Sequence, residues 1–435
     1  MKKVAVNTLG CRTNQLESSI IIDDFSKNGW EIVKFSDIAD IYIINTCTVT
    51  GKSDTNSRYY IRQAKRTNPN AKIVVTGCYA QTSPEELSNL AEIDLIIGNA
   101  EKANLFEIVN AFFVKNSDKK VLVTDIMQEN EFRDKKALSA SGRTRVNIKI
   151  QDGCNYRCSY CIVPYARGKS RSNSIENILD QVKKMTDQGY KELIISGIHL
   201  GQWGLDLSLK NSLASLIREI EKIENLKRFR ISSIDPMEFN EDLIETLINS
   251  NKFCKHLHIS LQSGCDEILK QMKRRYTVEY YSDLIMNLTN NIENLAIGSD
   301  IIVGFPGETE EYFNTTHESL KSLPVSYIHV FSYSRRKGTP ADKMPNQVND
   351  FTKKKRNSLL TKLAAEKNFE FRKSQIGKEA EILVEFSRDK KTGLLKGMTD
   401  NFISVLTEGD DCYKNNLTKV VITEAASDFT KGKII

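Results

Sequence analysis

The chain has no apolar run near the roughly 18 residues that a membrane-spanning helix requires. Its longest runs, such as Ile41 to Ile44, have the length of buried strands, so no membrane partner is expected. A dominant charge is also missing. The 62 basic residues stand against 56 acidic ones, a net +6, so a nucleic-acid partner would be held by local patches and not by a bulk positive field. No internal repeat or low-complexity tract is present, which sets aside solenoids and biased tails. A secretory leader is not expected either. Val4-Ala5-Val6 is broken by Asn7 and Thr8 before it reaches the roughly 7 to 15 apolar residues needed. The expected compartment is the cytoplasm, where thiols stay reduced, and nine cysteines there point to metal or catalysis before disulfides.

What is present is the composition of an ordinary globular chain: 435 residues, 40% hydrophobic and 27% charged. At roughly 150 residues per domain this predicts two or three domains. Up to about residue 130, short apolar strands alternate with helical patterns. The strands are Val4 to Asn7, Ile41 to Asn45, Ile73 to Thr76 and Leu95 to Ile97, with helices from Gln15 and from Ser53. Alternation of this kind predicts an α/β domain with a parallel sheet and crossover helices. A cysteine follows each of the first three strands: Cys11, Cys47 and Cys78. Loops after parallel strands share one edge of the sheet, so these three should converge there.

Residues 130–143, from Arg133, Asp134, Lys135 and Lys136 to Ser-Ala-Ser-Gly, read as a polar linker. Beyond it, six strand candidates separated by helices run from Val146–Ile150 through Glu192–Ser196, Arg228–Ser232, His256–Ser260 and Ala296–Val303 to Ser326–Phe331. Six units fall short of the eight of a closed barrel, which predicts an open, partial (β/α)6 barrel. Helical periodicity then covers Phe351 to Phe371. From Ala380 the pattern becomes alternating, with Ile382 and Val384 on one face, a turn at Lys391-Thr392-Gly393, and Phe402, Ile403 and Val405 beyond. This predicts a small all-β appendage. The expected domains are therefore 1–130, 140–372 and 373–435.

The sharpest motif is Cys154-Asn-Tyr-Arg-Cys158-Ser-Tyr-Cys161, directly after the first barrel strand. Three thiolates in so short a loop can hold three irons of a cubane cluster, with the fourth iron open to a small molecule. A zinc site would need a fourth protein ligand, and no second pair or nearby His supplies one. The triplet, with Tyr160 before its last cysteine, resembles the signature of the radical S-adenosylmethionine superfamily.

The resemblance narrows to the methylthiotransferases. Gly10-Cys11-Arg12-Thr13-Asn14-Gln15, Asn45-Thr46-Cys47, Thr76-Gly77-Cys78-Tyr79-Ala80-Gln81 and Gln151-Asp152-Gly153-Cys154 are similar to motifs of that family. So are Ser196-Gly197-Ile198-His199-Leu200-Gly201, Leu261-Gln262-Ser263-Gly264 and Gly304-Phe305-Pro306-Gly307-Glu308-Thr309. The Cys-Arg-Thr-Asn-Gln segment and the run Arg167-Gly168-Lys169-Ser170-Arg171-Ser172 resemble the branch acting on N6-threonylcarbamoyladenosine in tRNA. The β-rich tail resembles the family's RNA-binding TRAM domain in length and position.

Carried over by position, the resemblance implies two 4Fe–4S clusters, an auxiliary one on Cys11, Cys47 and Cys78 and one on Cys154, Cys158 and Cys161 that binds S-adenosylmethionine. It implies that Tyr160, Ser196, Gly197, His199, Ser232, Gln262 and Gly304 help line the cofactor site. The implied reaction places a methylthio group on the adenine beside the anticodon, with tRNA, an electron donor and a sulfur source as partners. The neighbouring activities, on isopentenyl-type tRNA adenosine or on a ribosomal-protein aspartate, stay open, as does a non-catalytic metal-binding RNA-binding protein. No side chain is assigned as an acid or base. Arg12, Arg167 and Arg171 are the candidates for the substrate's carboxylate, since a guanidinium takes a carboxylate bidentately; phosphate or cofactor contacts are the other reading of each.

Several features have plainer readings. His199 can touch ligand or be a satisfied loop histidine, and the glycines 197, 201, 304 and 307 can be ordinary turns. His256 and His258 share one strand face, where core or barrel lining is favoured. Cys254, Cys265 and Cys412 have no spacing logic and are taken as structural. Arg58, Arg62 and Arg66 form a stripe on the helix after Cys47, and Lys353 to Arg356 is a weaker basic run. From Lys373 onward ten basic and ten acidic residues balance, with only Arg388, Lys390, Lys391 and Lys396 grouped around one turn.

Overall fold

The computed structural model describes residues 2–115, 120–133, 143–207 and 212–435; most of the expected linker lies outside them. The chain divides into two compact units. One comprises Met1–Ser141, Lys149–Asn173 and Ser334–Asp342, and the other Gly142–Ile148, Ser174–Tyr333 and Lys343–Ile435.

The first unit is built from β1 (Lys3–Thr8), α1 (Arg12–Lys27), β2 (Glu31–Val33), β3 (Ile41–Thr46), α2 (Gly51–Thr67), β4 (Lys72–Gly77), α3 (Cys78–Thr82), α4 (Pro84–Ser88), β5 (Leu95–Ile97), α5 (Leu105–Lys115) and β6 (Lys120–Leu122). Its strands form one parallel sheet in the order β2-β1-β3-β4-β5-β6. Every residue of β3 is buried, as a central strand covered on both faces requires. Ile41 and Ile43 pack with Ile21, Phe25, Leu105 and Val109, while Tyr42 and Ile44 face Ile61, Ala64 and Tyr79. The strand period of two thus sends alternate residues to the helix layers on opposite faces. Two strands absent from the sequence expectation, β2 and β6, are three-residue segments at the sheet edges, too short for periodicity to register.

Next come β7 (Arg145–Lys149), β8 (Gln151–Asp152), α6 (Val163–Arg167), β9 (Arg171–Ser172), α7 (Ile175–Asp187), β10 (Glu192–Ser196), α8 (Leu213–Glu221), β11 (Arg228–Ile231), α9 (Glu241–Ile248), β12 (His256–His258), α10 (Asp266–Gln271), α11 (Val278–Asn291), β13 (Ala296–Val303), α12 (Glu310–Ser322), β14 (Tyr327–Ser332) and α13 (Asp350–Lys373). The six expected barrel strands are all present, grouped as two three-stranded sheets, β11-β10-β7 and β12-β13-β14. Between β11 and β12 the ladder is reduced to the parallel bridges Phe229↔Phe253 and Ile234↔Ile259. The open, partial barrel is therefore borne out. The expected helix after it begins where Asn349 accepts from the Thr352 N–H at 2.9 Å, an N-cap that satisfies an orphan donor.

The tail is a closed barrel of β15 (Glu379–Val384), β16 (Leu395–Thr399), β17 (Ser404–Thr407), β18 (Leu417–Ala425) and β19 (Thr430–Ile434), in the order β15-β16-β17-β19-β18. Ile382, Val384, Leu395, Ile403, Val405, Val420 and Ile422 fill it. Phe402, read with Ile403 and Val405 as lying beyond that turn, sits just before β17 at φ +67°. Within this unit Arg228 and Arg230 straddle the buried Glu192 at 2.6 and 2.7 Å. Both also donate to carbonyls of the small barrel, Arg228 to Glu381 and Met398 and Arg230 to Thr399 and Asp400. Among the described residues no helix is long and apolar enough to cross a membrane.

Candidate active site

Cys11, Cys47 and Cys78 are brought together by strand register. Thr8 lies opposite Asn45 and Thr46 opposite Gly77, so β1, β3 and β4 end together and each delivers its cysteine within three residues. Gly10, at φ +95°, lies so close to Cys47 that a Cβ there would sit 2.7 and 2.8 Å from its Cβ and Sγ. Asn14 ties the loops by donating to the carbonyls of Leu9 at 2.8 Å and Thr46 at 3.0 Å, and its Oδ1 lies 4.0 Å from Cys11 Sγ. Cys11 is the N-cap residue of α1. Burial pushes the Cys78 thiol up to about 11 and raises that of Cys47; Cys11 raises both further, and Cys47 adds to the rise at Cys78. The Arg167 guanidinium acts in the opposite sense on both.

Arg167 is the centre of a buried ionic group in this same unit. Its Nη1 donates to Glu17 at 2.8 Å and Asp152 at 3.0 Å, and its Nη2 donates to Asn14 Oδ1 at 2.6 Å. Lys102 and Lys149 complete the shell around Glu17 at 2.6 and 3.4 Å, and Lys149 also reaches Asp152 at 3.0 Å. Burial would raise both carboxyls, yet the surrounding cations win and hold them well below the usual carboxylate range. Four cations, counting Arg171 at 3.9 Å from Asp152, face two carboxylates, leaving an excess of positive charge beside the three thiols.

The Cys154 loop is held by the Arg167–Ser172 run. β8 and β9 pair Gln151 with Ser172 and Asp152 with Arg171, and the Cys154 N–H donates to the Gly168 carbonyl at 3.0 Å. Gly153 turns at φ +76° where a Cβ would lie 1.9 Å from the Lys169 carbonyl, so no other residue fits. Cys158 is buried and Cys154 and Cys161 are half-buried; Tyr156 N–H points at Cys154 Sγ, 3.4 Å away. Tyr160 lies half-buried on the same loop. Three thiols on one tight loop, and three more gathered at a sheet edge beside a buried cation, are donor sets that suit a soft metal centre.

In the second unit the remaining candidates lie at or just after strand ends. Ser196 Oγ donates to the Ile148 carbonyl at 3.2 Å, and Gly197 follows it, half-buried. His199 Nε2 meets Glu238 Oε1 at 2.5 Å, while the same carboxylate accepts from Gly201 N–H at 3.0 Å. Ser232 Oγ is buried without a hydrogen-bond partner among the described residues. Gln262 adopts φ +71°, an unusual conformation held by backbone bonds to Asp300 and Ile302 on β13. Gly304, also at φ +71°, donates to Glu308 at 2.6 Å, and Glu308 in turn takes Arg356 at 2.7 Å. Arg356 is thus a buried ion-pair member and not part of an exposed basic run.

Arg12 is half-exposed as the first residue of α1, whereas Arg167 and Arg171 are buried. The Arg58 stripe is largely spoken for, since Arg58 donates to Tyr79 and Glu86 and Arg62 faces Glu92 at 3.8 Å. Cys254 and Cys265 are buried, with burial pushing the Cys254 thiol up to about 12, and Cys412 is exposed. His256 and His258 are buried side by side as strand lining. Sequence reasoning missed Glu17, Lys102, Lys149, Glu238, Asp300 and His329. A signal existed for Glu17, a charge three and four residues before Ile20 and Ile21 on the buried face of α1. The partners Lys102 and Lys149 lie 85 and 132 residues away and carry no local mark.

Comparison with known proteins agrees in both halves of the chain. Residues 148–320 match the Radical SAM superfamily and residues 3–98 match the Uncharacterized protein family UPF0004. The chain is 41% identical to the threonylcarbamoyladenosine tRNA methylthiotransferase of Aquifex aeolicus (strain VF5), over 97% of this chain and 100% of the relative. It is 38% identical to the enzyme of the same name from Bacillus subtilis (strain 168), over 100% and 97%. A tRNA-2-methylthio-N(6)-dimethylallyladenosine synthase of Pelotomaculum thermopropionicum is 34% identical over 98% and 96%. Among solved structures, the radical S-adenosylmethionine methyltransferase TsrM of Kitasatospora setae, with cobalamin and a 4Fe–4S cluster bound, gives a TM-score of 0.59 at 17% identity, covering 79% of this chain and 77% of its own. That likeness speaks to the fold.

Proposed function

The chain belongs to the methylthiotransferase family of radical S-adenosylmethionine enzymes, and we propose that it converts N6-threonylcarbamoyladenosine beside the anticodon of tRNA to its 2-methylthio derivative, in the cytoplasm, using two 4Fe–4S clusters. The observation that carries the two-cluster reading is the meeting of Cys11, Cys47 and Cys78 at one sheet edge, beside a buried guanidinium, Arg167, that opposes the upward shift of the Cys47 and Cys78 thiols. Cys154, Cys158 and Cys161 would hold the other cluster. Bound there, S-adenosylmethionine supplies the radical chemistry that an aromatic C–H bond demands and that no acid or base side chain provides.

The chain's own residues orient and exclude. Arg167, Asp152 and Glu17 fix the Cys154 loop and the Cys11 loop into one rigid ionic frame, since a guanidinium fork bonded on both sides leaves neither loop free to shift. Tyr160, Ser196, Gly197, His199, Ser232, Gln262 and Gly304 are assigned to the cofactor by family resemblance. Glu238 locks the His199 ring and the Gly201 backbone, a positioning role. Arg12 is the strongest of the three arginines for the threonyl carboxylate, because it is half-exposed next to Cys11 whereas Arg167 and Arg171 are buried. An external electron donor and a sulfur source complete the reaction. Similarity to the dimethylallyladenosine synthase supports a second reading, the isopentenyl-type substrate. Arg12→Gln should lower single-turnover methylthiolation of the threonylcarbamoyl substrate while leaving cofactor cleavage intact; an unchanged rate would remove Arg12 from the site.

A further inference from the structure

We propose that the face of the β12-β13-β14 sheet bearing His256, His258, Tyr327, His329 and Phe331 is a stacking platform for an unpaired nucleobase of the RNA substrate, an inference that rests on the tRNA reading above. Tyr327, His329 and Phe331 alternate along β14, so all three stand on one face. The buried Ile328 faces the other way. Their rings join those of β12 in a continuous ladder. It begins at Phe402 of the small barrel, 4.3 Å from the His256 ring at 26°, and continues to Tyr327 at 5.8 Å and 9°. From Tyr327 it passes to His329 at 5.2 Å and 55°, which also lies 5.5 Å from His258 at 27°, and it ends on Phe331 at 6.5 Å in an edge-to-face contact at 76°.

The ladder is rigid at one end and open at the other. Tyr327 lies flat across β13 only because residue 298 is glycine, where a Cβ would come within 2.0 Å of the ring, and its hydroxyl is 2.8 Å from His256 Nε2. Asp300 Oδ1 lies 3.2 Å from His258 Nε2 and 3.1 Å from His329 Nδ1, so one carboxylate oxygen fixes both imidazole planes. His258 Nδ1 is held in turn by Ser233 Oγ at 2.9 Å. The grouping of His258, Asp300 and His329 has the composition of a metal site, with His329 hydrogen-bonded to Asp300 and His258 at ion-pair distance from the same oxygen. At the far end the His329 side chain is 55% exposed and Phe331 is 42% exposed.

A run of packed rings that is anchored inside and exposed at its last two members, set at 55° and 76° to the ring before each, leaves the faces of His329 and Phe331 open to one further planar group. RNA loops present unstacked bases, and every base has a π-face that such a ladder can take. A tRNA-modifying enzyme must hold its target base or a neighbour out of the loop's own stack, which gives the platform its use.

The test uses full-length, cluster-loaded protein and a synthetic anticodon stem-loop carrying N6-threonylcarbamoyladenosine, with 2-aminopurine as an adjacent loop base. Phe331→Leu keeps apolar bulk and removes the π-face; Phe331→Tyr restores it. Loss of one stacked base should weaken binding roughly ten- to a hundredfold and relieve 2-aminopurine quenching in Phe331→Leu and His329→Ala, with Phe331→Tyr near wild type. Wild-type affinity and quenching in both defective variants would overturn the platform and leave the tRNA reading standing. A wild-type protein that fails to bind the stem-loop would overturn both.

Discussion

Replacing Arg167 by Met removes the guanidinium that joins Glu17, Asp152 and Asn14. Breaking a buried pair by deleting one partner costs about 3–5 kcal/mol, because the other charge is left uncompensated. Here the low end applies. Glu17 keeps Lys102 at 2.6 Å, and Asp152 keeps Lys149 at 3.0 Å. The expected loss of about 3 kcal/mol is a large part of the ~5–15 kcal/mol that holds an ordinary domain together. Arg167→Lys keeps the charge but cannot reach Asn14 and Glu17 at once, and should cost about 1–2 kcal/mol. Removing the cation also withdraws the one influence that opposes burial and mutual repulsion at both Cys47 and Cys78, so iron loading should fall at the Cys11 set and hold at the Cys154 set. Anaerobic urea unfolding, with iron per chain counted on a Cys158→Ala background to isolate the auxiliary set, measures both effects. A wild-type midpoint with full iron in Arg167→Met would refute the reasoning. If that variant instead showed a raised KM for tRNA, Arg167 would belong to the substrate.

Three further outcomes are expected. Cys158→Ala should abolish S-adenosylmethionine cleavage, whereas Cys47→Ala should retain cleavage and lose methylthiolated product; equal loss of cleavage in a folded, iron-loaded Cys47→Ala would count against a division of labour between the two sets. Glu192, held below the usual carboxylate range because Arg230, Arg228 and Arg145 outweigh burial, contributes stability above its unfolded value of about 4.3, and that stability is lost as pH falls through the depressed folded value. Glu192→Gln should therefore be destabilised by about 3–5 kcal/mol at neutral pH and show a flatter acid limb in denaturant titrations, and an unchanged limb would contradict the assignment. Lys390→Glu with Lys391→Glu, both exposed at the turn before β16, should weaken tRNA binding and flatten its salt dependence; an unaltered salt slope would take that turn out of the RNA interface.

The chemistry-bearing part of the sequence was legible because its logic is local. A cysteine after each of three apolar strands, and a triplet within eight residues, can be read without knowing the fold, and register then does the rest by ending β1, β3 and β4 together. The tail's turn at Lys391-Thr392-Gly393 was legible for the same reason, with Gly393 at φ +74°. The ionic frame was not, since Glu17 meets Arg167 across 150 residues, and Arg167 alone reads as a ligand for the substrate and not as the partner of a buried carboxylate. Arg356 misled in the same way: a basic residue in a charged run gives no sign that a carboxylate waits in the interior. The aromatic ladder combines both cases. His256 and His258 were visible as a pair on one face, but their extension through Tyr327, His329 and Phe331 depends on β13 carrying Gly298 and Asp300 between them.

The central claim is that this chain methylthiolates the threonylcarbamoyl-modified adenine of tRNA. The direct measurement is single-turnover competition: anaerobically reconstituted protein, S-adenosylmethionine, a reductant and a sulfide source, with equal amounts of tRNA bearing N6-threonylcarbamoyladenosine and tRNA bearing the isopentenyl group, read by mass spectrometry of the nucleosides. A site built for a carboxylate, a hydroxyl and a urea leaves its polar groups unpaired on an isopentenyl chain, a rejection worth several powers of ten. Product should form on the threonylcarbamoyl substrate almost alone. Preference for the isopentenyl substrate, or no methylthio product on either, would contradict the account.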